Sequence, residues 1–197
     1  TLLEKSGIAE DLLDGLQILM RRVPGGLAIA VTMMGTILAA STGIIGASVA
    51  MLTLLALPMM LRSGYAPSLA TGTIAASGTL GILIPPSIML VIMGDLLTIS
   101  VGKLFMAALI PGLMLSALYL LYIVTASFLK PQLAPRAATP LTPEEKRLLW
   151  IKLGGGLVPP ALLIGLVLGS ILGGWATPTE ASGVGALGAL VLALVRG

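Results

Sequence analysis

The sequence contains no histidine and no cysteine. That excludes disulfides, thiol redox chemistry, Cys/His metal sites, Ser–His triads and histidine proton relays. Charge is nearly as scarce. Only 10% of the 197 residues are charged, against about 25% in a typical soluble domain. So few charges cannot form the polar shell of a soluble enzyme, and a disordered chain would be more polar still. With a net charge of +3, and its basic residues confined to loops, the chain is no nucleic-acid binder.

What is present is apolar. Hydrophobic residues make up 57% and the mean hydropathy is +1.09. The chain reads as all-α and polytopic in a lipid bilayer. It opens without Met and carries no leader or lipidation motif, and it reads as a piece of a longer membrane protein.

The charges divide it into segments. Residues 1–22 place Ile8, Leu12, Leu16 and Leu19 on one helical stripe, with Glu10, Asp11, Asp14 and Gln17 off it. This is an amphipathic helix, lying in the interface or against a partner. Residues 23–61 hold no charge. As one straight helix they would be ~58 Å long, about twice the hydrocarbon thickness. They must fold back, and Ser41-Thr42-Gly43 near the middle is the expected bend. Two short spans or a re-entrant hairpin both satisfy the length.

Residues 63–97 cannot be one intact helix. Gly78, Gly81, Pro85 and Pro86 fall within nine residues, and the proline pair removes two backbone donors. Half-helices over about 67–77 and 86–97 are predicted, joined by irregular backbone near mid-membrane. Such backbone is tolerated only beside protein or a polar cavity. Residues 104–129 and 153–175 are ordinary spans, and 179–195 begin a further one. Between them, 130–152 is a proline-rich loop. Within it, Thr142-Pro143-Glu144-Glu145 opens a short helix.

With 23–61 returning to its starting side, ten of the 11 basic residues share one face and Lys103 alone lies opposite. The positive-inside rule makes the crowded face cytoplasmic.

A folded-back segment followed by a broken helix is the sequence pointer to a secondary-transporter site. Helix ends expose unpaired N–H and C=O groups carrying about half a unit charge. Carbonyls ending one half-helix suit Na⁺, and N–H groups starting the next suit an anion. Ser41, Thr42, Ser77, Thr79 and Ser87 add neutral oxygens. The competing reading is that these small residues only pack helices. No acid lies within 23–94, so the segment holds no carboxylate proton relay and favours Na⁺ over H⁺ coupling. A channel would need a polar or charged lining, and an intramembrane enzyme a nucleophile with a base. Neither is present in the apolar segments. A structural or assembly subunit, or a proton-coupled transporter of the same fold, stands as the alternative.

Certain residue runs carry a resemblance. They are Gly25-Gly26-Leu27-Ala28, Ala40-Ser41-Thr42-Gly43, Ala47-Ser48-Val49-Ala50, Gly64-Tyr65 and Gly81-Ile82-Leu83-Ile84-Pro85-Pro86-Ser87. Gly102-Lys103-Leu104-Phe105, Ile110-Pro111-Gly112 and Thr177-Pro178-Thr179-Glu180-Ala181 follow. In this order they resemble the large membrane (permease) subunit of tripartite ATP-independent periplasmic (TRAP) transporters. The resemblance spans about residues 7–128 and resumes over 173–190.

The resemblance implies an elevator-type secondary transporter of two inverted repeats. This chain would supply the first repeat and the start of the second. It implies a Na⁺-driven importer of small organic acids in the bacterial inner membrane. A periplasmic substrate-binding protein would serve it, as would a small membrane subunit, separate or fused. No cofactor is implied beyond sodium as the coupling ion. The expected sodium ligands are Ser41, Thr42, Gly43, Gly78, Thr79 and Gly81. Thr42, Pro85, Pro86 and Ser87 are expected at the substrate.

Overall fold

The computed structural model describes residues 7–135 and 142–196, apart from the side chains of Ala39, Ser41, Thr42, Ala193, Val195 and Arg196. Lys5, Arg136 and Pro140, which entered the charge and loop readings above, lie outside the described residues. Every regular element among those described is helical. In chain order they are α1 (Ile8–Met20), α2 (Gly26–Thr42), α3 (Ile45–Arg62) and α4 (Pro67–Thr79). A 3₁₀ turn, Leu80–Ile82, precedes α5 (Ile88–Leu96), α6 (Val101–Leu129), α7 (Pro143–Leu172) and α8 (Pro178–Arg196).

Helices α3, α6 and α7 are each long and apolar enough to cross a membrane. The chain is therefore a multi-pass membrane protein, and its outer surface agrees. Leu54, Ile110, Leu121, Leu129 and Trp150 are exposed apolar side chains on these helices, where only lipid or another apolar surface can cover them without cost.

Helix α2 is the centre of the packing. Ala28, Ala30, Val31, Thr32 and Met34 are fully buried, and the helix touches α1, α3, α4, α6 and α7. A helix apolar on every face has this position open to it. Helix α3 turns back against it. Leu52, Ala56 and Met60 recur at i, i+4 and i+8 and are buried, while Leu54 faces out.

Small residues set how closely the helices approach. At Gly35 of α2 an added Cβ would stand 2.6 Å from Ser77 Cβ on α4. At Gly78 of α4 it would stand 2.3 Å from Val49 Cγ2 on α3. Both arms of the hairpin thus pack tightly on the first half of the broken segment, the geometry small residues give membrane helices. Hydroxyls fasten the same crossing. Ser77 donates to the Thr73 carbonyl at 2.6 Å and lies 3.3 Å from Thr32 Oγ1, while Thr36 and Ser116 link α2 to α6 at 2.7 Å.

Two elements differ from the sequence reading in detail. In α1 the buried stripe is Ile8, Leu12, Leu13 and Leu16, whereas Leu19 is 42% exposed. The reason is that α1 lies between α2 and α7, so a broad face is covered and its last turn runs past that cover. At Gly156 of α7 a Cβ would meet the Leu12 backbone N at 2.4 Å, and at Gly15 of α1 it would meet Leu153 at 3.1 Å. Ion pairs Asp14–Lys152 and Arg21–Glu145 flank this contact, the second at 2.8 Å.

Helix α7 also starts earlier than the span read at 153–175. It runs unbroken from Pro143, so the short helix and the span are one. Thr142 accepts from the Glu145 N–H, and the Glu145 carboxylate accepts from the Thr142 N–H. This capping box fixes the start.

Candidate functional site where the hairpin tip meets the broken helix

Helix α2 ends at Thr42 and α3 begins at Ile45. Gly43 makes the turn at φ +61°, a left-handed conformation that costs other residues roughly 1–2 kcal/mol. A Cβ at Gly43 would also lie 3.2 Å from the Pro86 carbonyl oxygen and 3.6 Å from the Ile88 N. Glycine is therefore required twice, for its backbone angle and for the closeness of another backbone.

That other backbone is the break. Helix α4 ends at Thr79, the 3₁₀ turn tightens Leu80–Ile82, and regular helix resumes only at Ile88. The Pro85–Pro86 peptide is cis. Ser87 is the N-cap of α5 in extended conformation, and its hydroxyl does not cap the helix. It donates instead to the Ile82 carbonyl at 2.8 Å, across the irregular stretch. Among the described residues no side chain caps the first N–H groups of α5, which leaves the positive end of that helix open beside the Gly43 turn. From the other side, Gly112 of α6 brings its helix against Ile84 and Leu83, where a Cβ would lie 3.2 Å from the Leu83 carbonyl oxygen.

Gly43, Pro86 and Ser87 line one cavity of about 510 Å³ together with Ala40 and Ile88. Its remaining walls are Phe105 of α6, Val167 and Ile171 of α7, and a face of α8 that includes Ser182 and Gly185. None of the described residues lining it is charged. Any electrostatic selectivity there comes from backbone dipoles and hydroxyls.

The other expected site residues fall elsewhere. Gly78 is buried in the crossing with Val49. Thr79 is exposed, and its hydroxyl donates to the Ala76 carbonyl at 2.8 Å. Gly81 and Pro85 are buried and do not line the cavity. Ser41 and Thr42 lie at the C-terminal end of α2, and their side chains are outside the described residues. The sequence reading quoted Ala40 and Phe105 only as family motif residues and did not place them, Ser182 or Gly185 at the site. A signal for the last two existed, because Ser182, Gly185, Ala186 and Ala189 repeat at i, i+3, i+4 and i+7 and so share one face of α8.

The donor set can be tested against a cation. Among the described residues no three His, Cys, Asp or Glu side chains cluster, and those lining the cavity offer neutral oxygens only. A hydroxyl whose proton is committed to a carbonyl, as at Ser87, keeps its lone pairs for a further partner. Such a set fits a hard monovalent ion and lacks the charge a divalent ion demands.

An all-helical, multi-pass membrane protein with a folded-back helix pair set on a broken helix is the class this architecture defines. The model of the family "Tripartite ATP-independent periplasmic transporter, DctM component" matches residues 1–197, and the chain belongs to that family. The C4-dicarboxylate TRAP transporter large permease protein DctM of Pseudomonas aeruginosa is 35% identical over 188 residues, covering 95% of this chain and 42% of that protein. The 2,3-diketo-L-gulonate TRAP transporter large permease protein YiaN of Escherichia coli is 32% identical over 195 residues, covering 98% and 44%. The isethionate TRAP transporter permease protein DctMQ of Oleidesulfovibrio alaskensis is 31% identical over 189 residues, covering 94% and 28%. The chain thus spans less than half the length of these relatives. All three are transporter permeases.

Proposed function

We propose that this chain is the part of a large permease subunit that holds one sodium site and part of the substrate site of an organic-acid importer. The apposition of Gly43 with the Pro86 carbonyl carries the reading. It sets a hairpin tip and a helix break side by side at one cavity, which packing alone does not require. Sodium would be held by neutral oxygens at the tip and the break, from the region of Ser41, Thr42 and Gly43 on one side and Gly78–Ser87 on the other. Bound there, it would supply a fixed positive charge beside the substrate. The open start of α5 would face the acid's anionic group, with Thr42, Pro86 and Ser87 nearest it and Pro85 buried behind them.

The whole protein would be elevator-type, with inverted repeats. It would work in the bacterial inner membrane with a small membrane subunit and a periplasmic substrate-binding protein. The relatives' names cover a C4-dicarboxylate, 2,3-diketo-L-gulonate and isethionate, all small organic acids. That range fits a permease site that reads one anionic group and leaves selection to the binding protein.

The test is uptake by the full-length protein and its partner subunits in proteoliposomes. Uptake should require both an inward Na⁺ gradient and binding protein outside. Uptake driven by a proton gradient without Na⁺ would keep the fold and overturn the sodium assignment. Correct assembly with no uptake of any acid would favour the structural-subunit reading.

A further inference from the structure

A second cavity, about 420 Å³, lies at the base of the hairpin, far along α2 and α3 from the tip. Three chain ends meet there: the last turn of α1, the first turn of α2 and the turn after α3. Its walls are of two kinds. Gln17, Arg21, Ser63 and Tyr65 are polar, while Ile18 and Leu27 are apolar.

The Tyr65 hydroxyl accepts from the Leu27 N–H at 3.1 Å, which fixes the phenol across the hairpin base. Burial pushes that phenol above its ordinary pKa, so it stays neutral. Arg21 pairs with Glu145 at 2.8 Å, which offsets part of its charge. Arg22 follows Arg21, and Arg62 precedes Ser63. Both are exposed, and among the described residues neither makes an ion pair. Lys130 closes α6 at the same end, where the Ala66 N–H donates to the Leu133 carbonyl just beyond it.

We propose that this cavity binds the head group of an anionic phospholipid. The phosphate would meet Arg21 in the wall, with Arg22 and Arg62, each next in sequence to a wall residue, adding positive charge at the rim, and the glycerol and first methylenes would meet the Ile18–Leu27 wall. The inference does not depend on the transport reading. It needs only that this end lies at the bilayer surface, where the ends of the apolar helices α2 and α3 and the excess of basic residues put it. Basic pockets between helices on that side are suited to anionic head groups. A free soluble anion would gain nothing from the apolar wall. A zwitterionic lipid would gain little from the rim, since its own cation offsets the phosphate.

The experiment uses the full-length protein in nanodiscs, with a trace of diazirine-labelled phosphatidylglycerol or the same probe on phosphatidylcholine. After irradiation, labelled peptides are mapped by mass spectrometry. Peptides covering 17–27 and 62–65 should carry the phosphatidylglycerol probe several-fold more than the phosphatidylcholine probe. An arginine near an anionic surface is worth roughly five-fold in binding. The exposed pair Arg22→Gln/Arg62→Gln should therefore abolish most of the preference while leaving the Arg21–Glu145 pair and the fold intact. Labelling by peptides of the exposed α6 face serves as the internal control and should not change. Equal labelling by the two probes, or a preference untouched in the double variant, would overturn the proposal. So would loss of the preference on adding millimolar inorganic phosphate, which would make the occupant a soluble anion.

Discussion

Gly43 stands against the Pro86 carbonyl, where an added Cβ would lie 3.2 Å from the oxygen, so that one of the two must shift by a few tenths of an ångström. Two segments 43 positions apart (86 − 43) approach there backbone to backbone. Gly43→Ala in the full-length protein should cost about 1–2 kcal/mol from the left-handed angle and force the tip off the break. Membrane insertion should be retained and sodium-dependent uptake should fall at least tenfold. Wild-type uptake with an unchanged sodium dependence would remove the tip from the site.

At Gly78 the nearest obstacle is a side chain, with the Val49 Cα next at 3.1 Å, where at Gly43 it is a carbonyl. The added Cβ would meet Val49 Cγ2 at 2.3 Å, so Gly78→Ala should destabilise by about 1–3 kcal/mol through overpacking. Val49→Ala removes the clashing methyl, and the double variant should recover a large part of the loss. Thermal unfolding of the four proteins in detergent gives the coupling. Additive losses would mean that the α3–α4 crossing is looser than the structure has it.

Helix α7 offers a pair of glycines with opposite expectations. A Cβ added at Gly154 would meet nothing within 4 Å, whereas one at Gly156 would lie 2.4 Å from the Leu12 backbone N. Gly154→Ala should stabilise by up to ~1 kcal/mol through helix propensity. Gly156→Ala should destabilise, because backbone cannot rotate aside. Melting temperatures moving in the same direction would refute the α1–α7 packing.

The Asp14–Lys152 pair is part-exposed, so solvent screens it and its worth is about 0.2–1 kcal/mol. Lys152→Asp should lower Tm by a few degrees at most, and adding Asp14→Lys should restore it. High salt should shrink the difference between the single and double variants. A salt-independent loss that the swap fails to rescue would point to packing by the lysine stem.

Much of this molecule follows from local chemistry. A chain with 10% charge and long uncharged runs has no polar shell, so it lies in lipid as helices that satisfy their own backbones. Prolines at 85 and 86 cannot donate; since Pro159 and Pro160 lie within the unbroken α7, it is the pair together with Gly78 and Gly81 that marks the break. Thr142 and Glu145 stand at capping-box spacing, and α7 starts there. These facts depend on residues a few positions apart, and the sequence carries them by itself. The family motifs are legible for the same reason.

The tertiary structure decided which of several equally small residues does what. Gly43 and Gly78 are alike in composition and neighbourhood, yet one turns at the cavity while the other is consumed in a helix crossing with Val49. Leu13 is covered by neighbouring helices and Leu19 is not, because α7, more than a hundred residues on, arrives over only part of α1. Ser182 and Gly185 reach the cavity only because α8 folds back on α7. Local rules fix where a chain bends and what it cannot bond. Which backbone lies beside the bend depends on close packing between distant helices, and that is a property of the assembled fold.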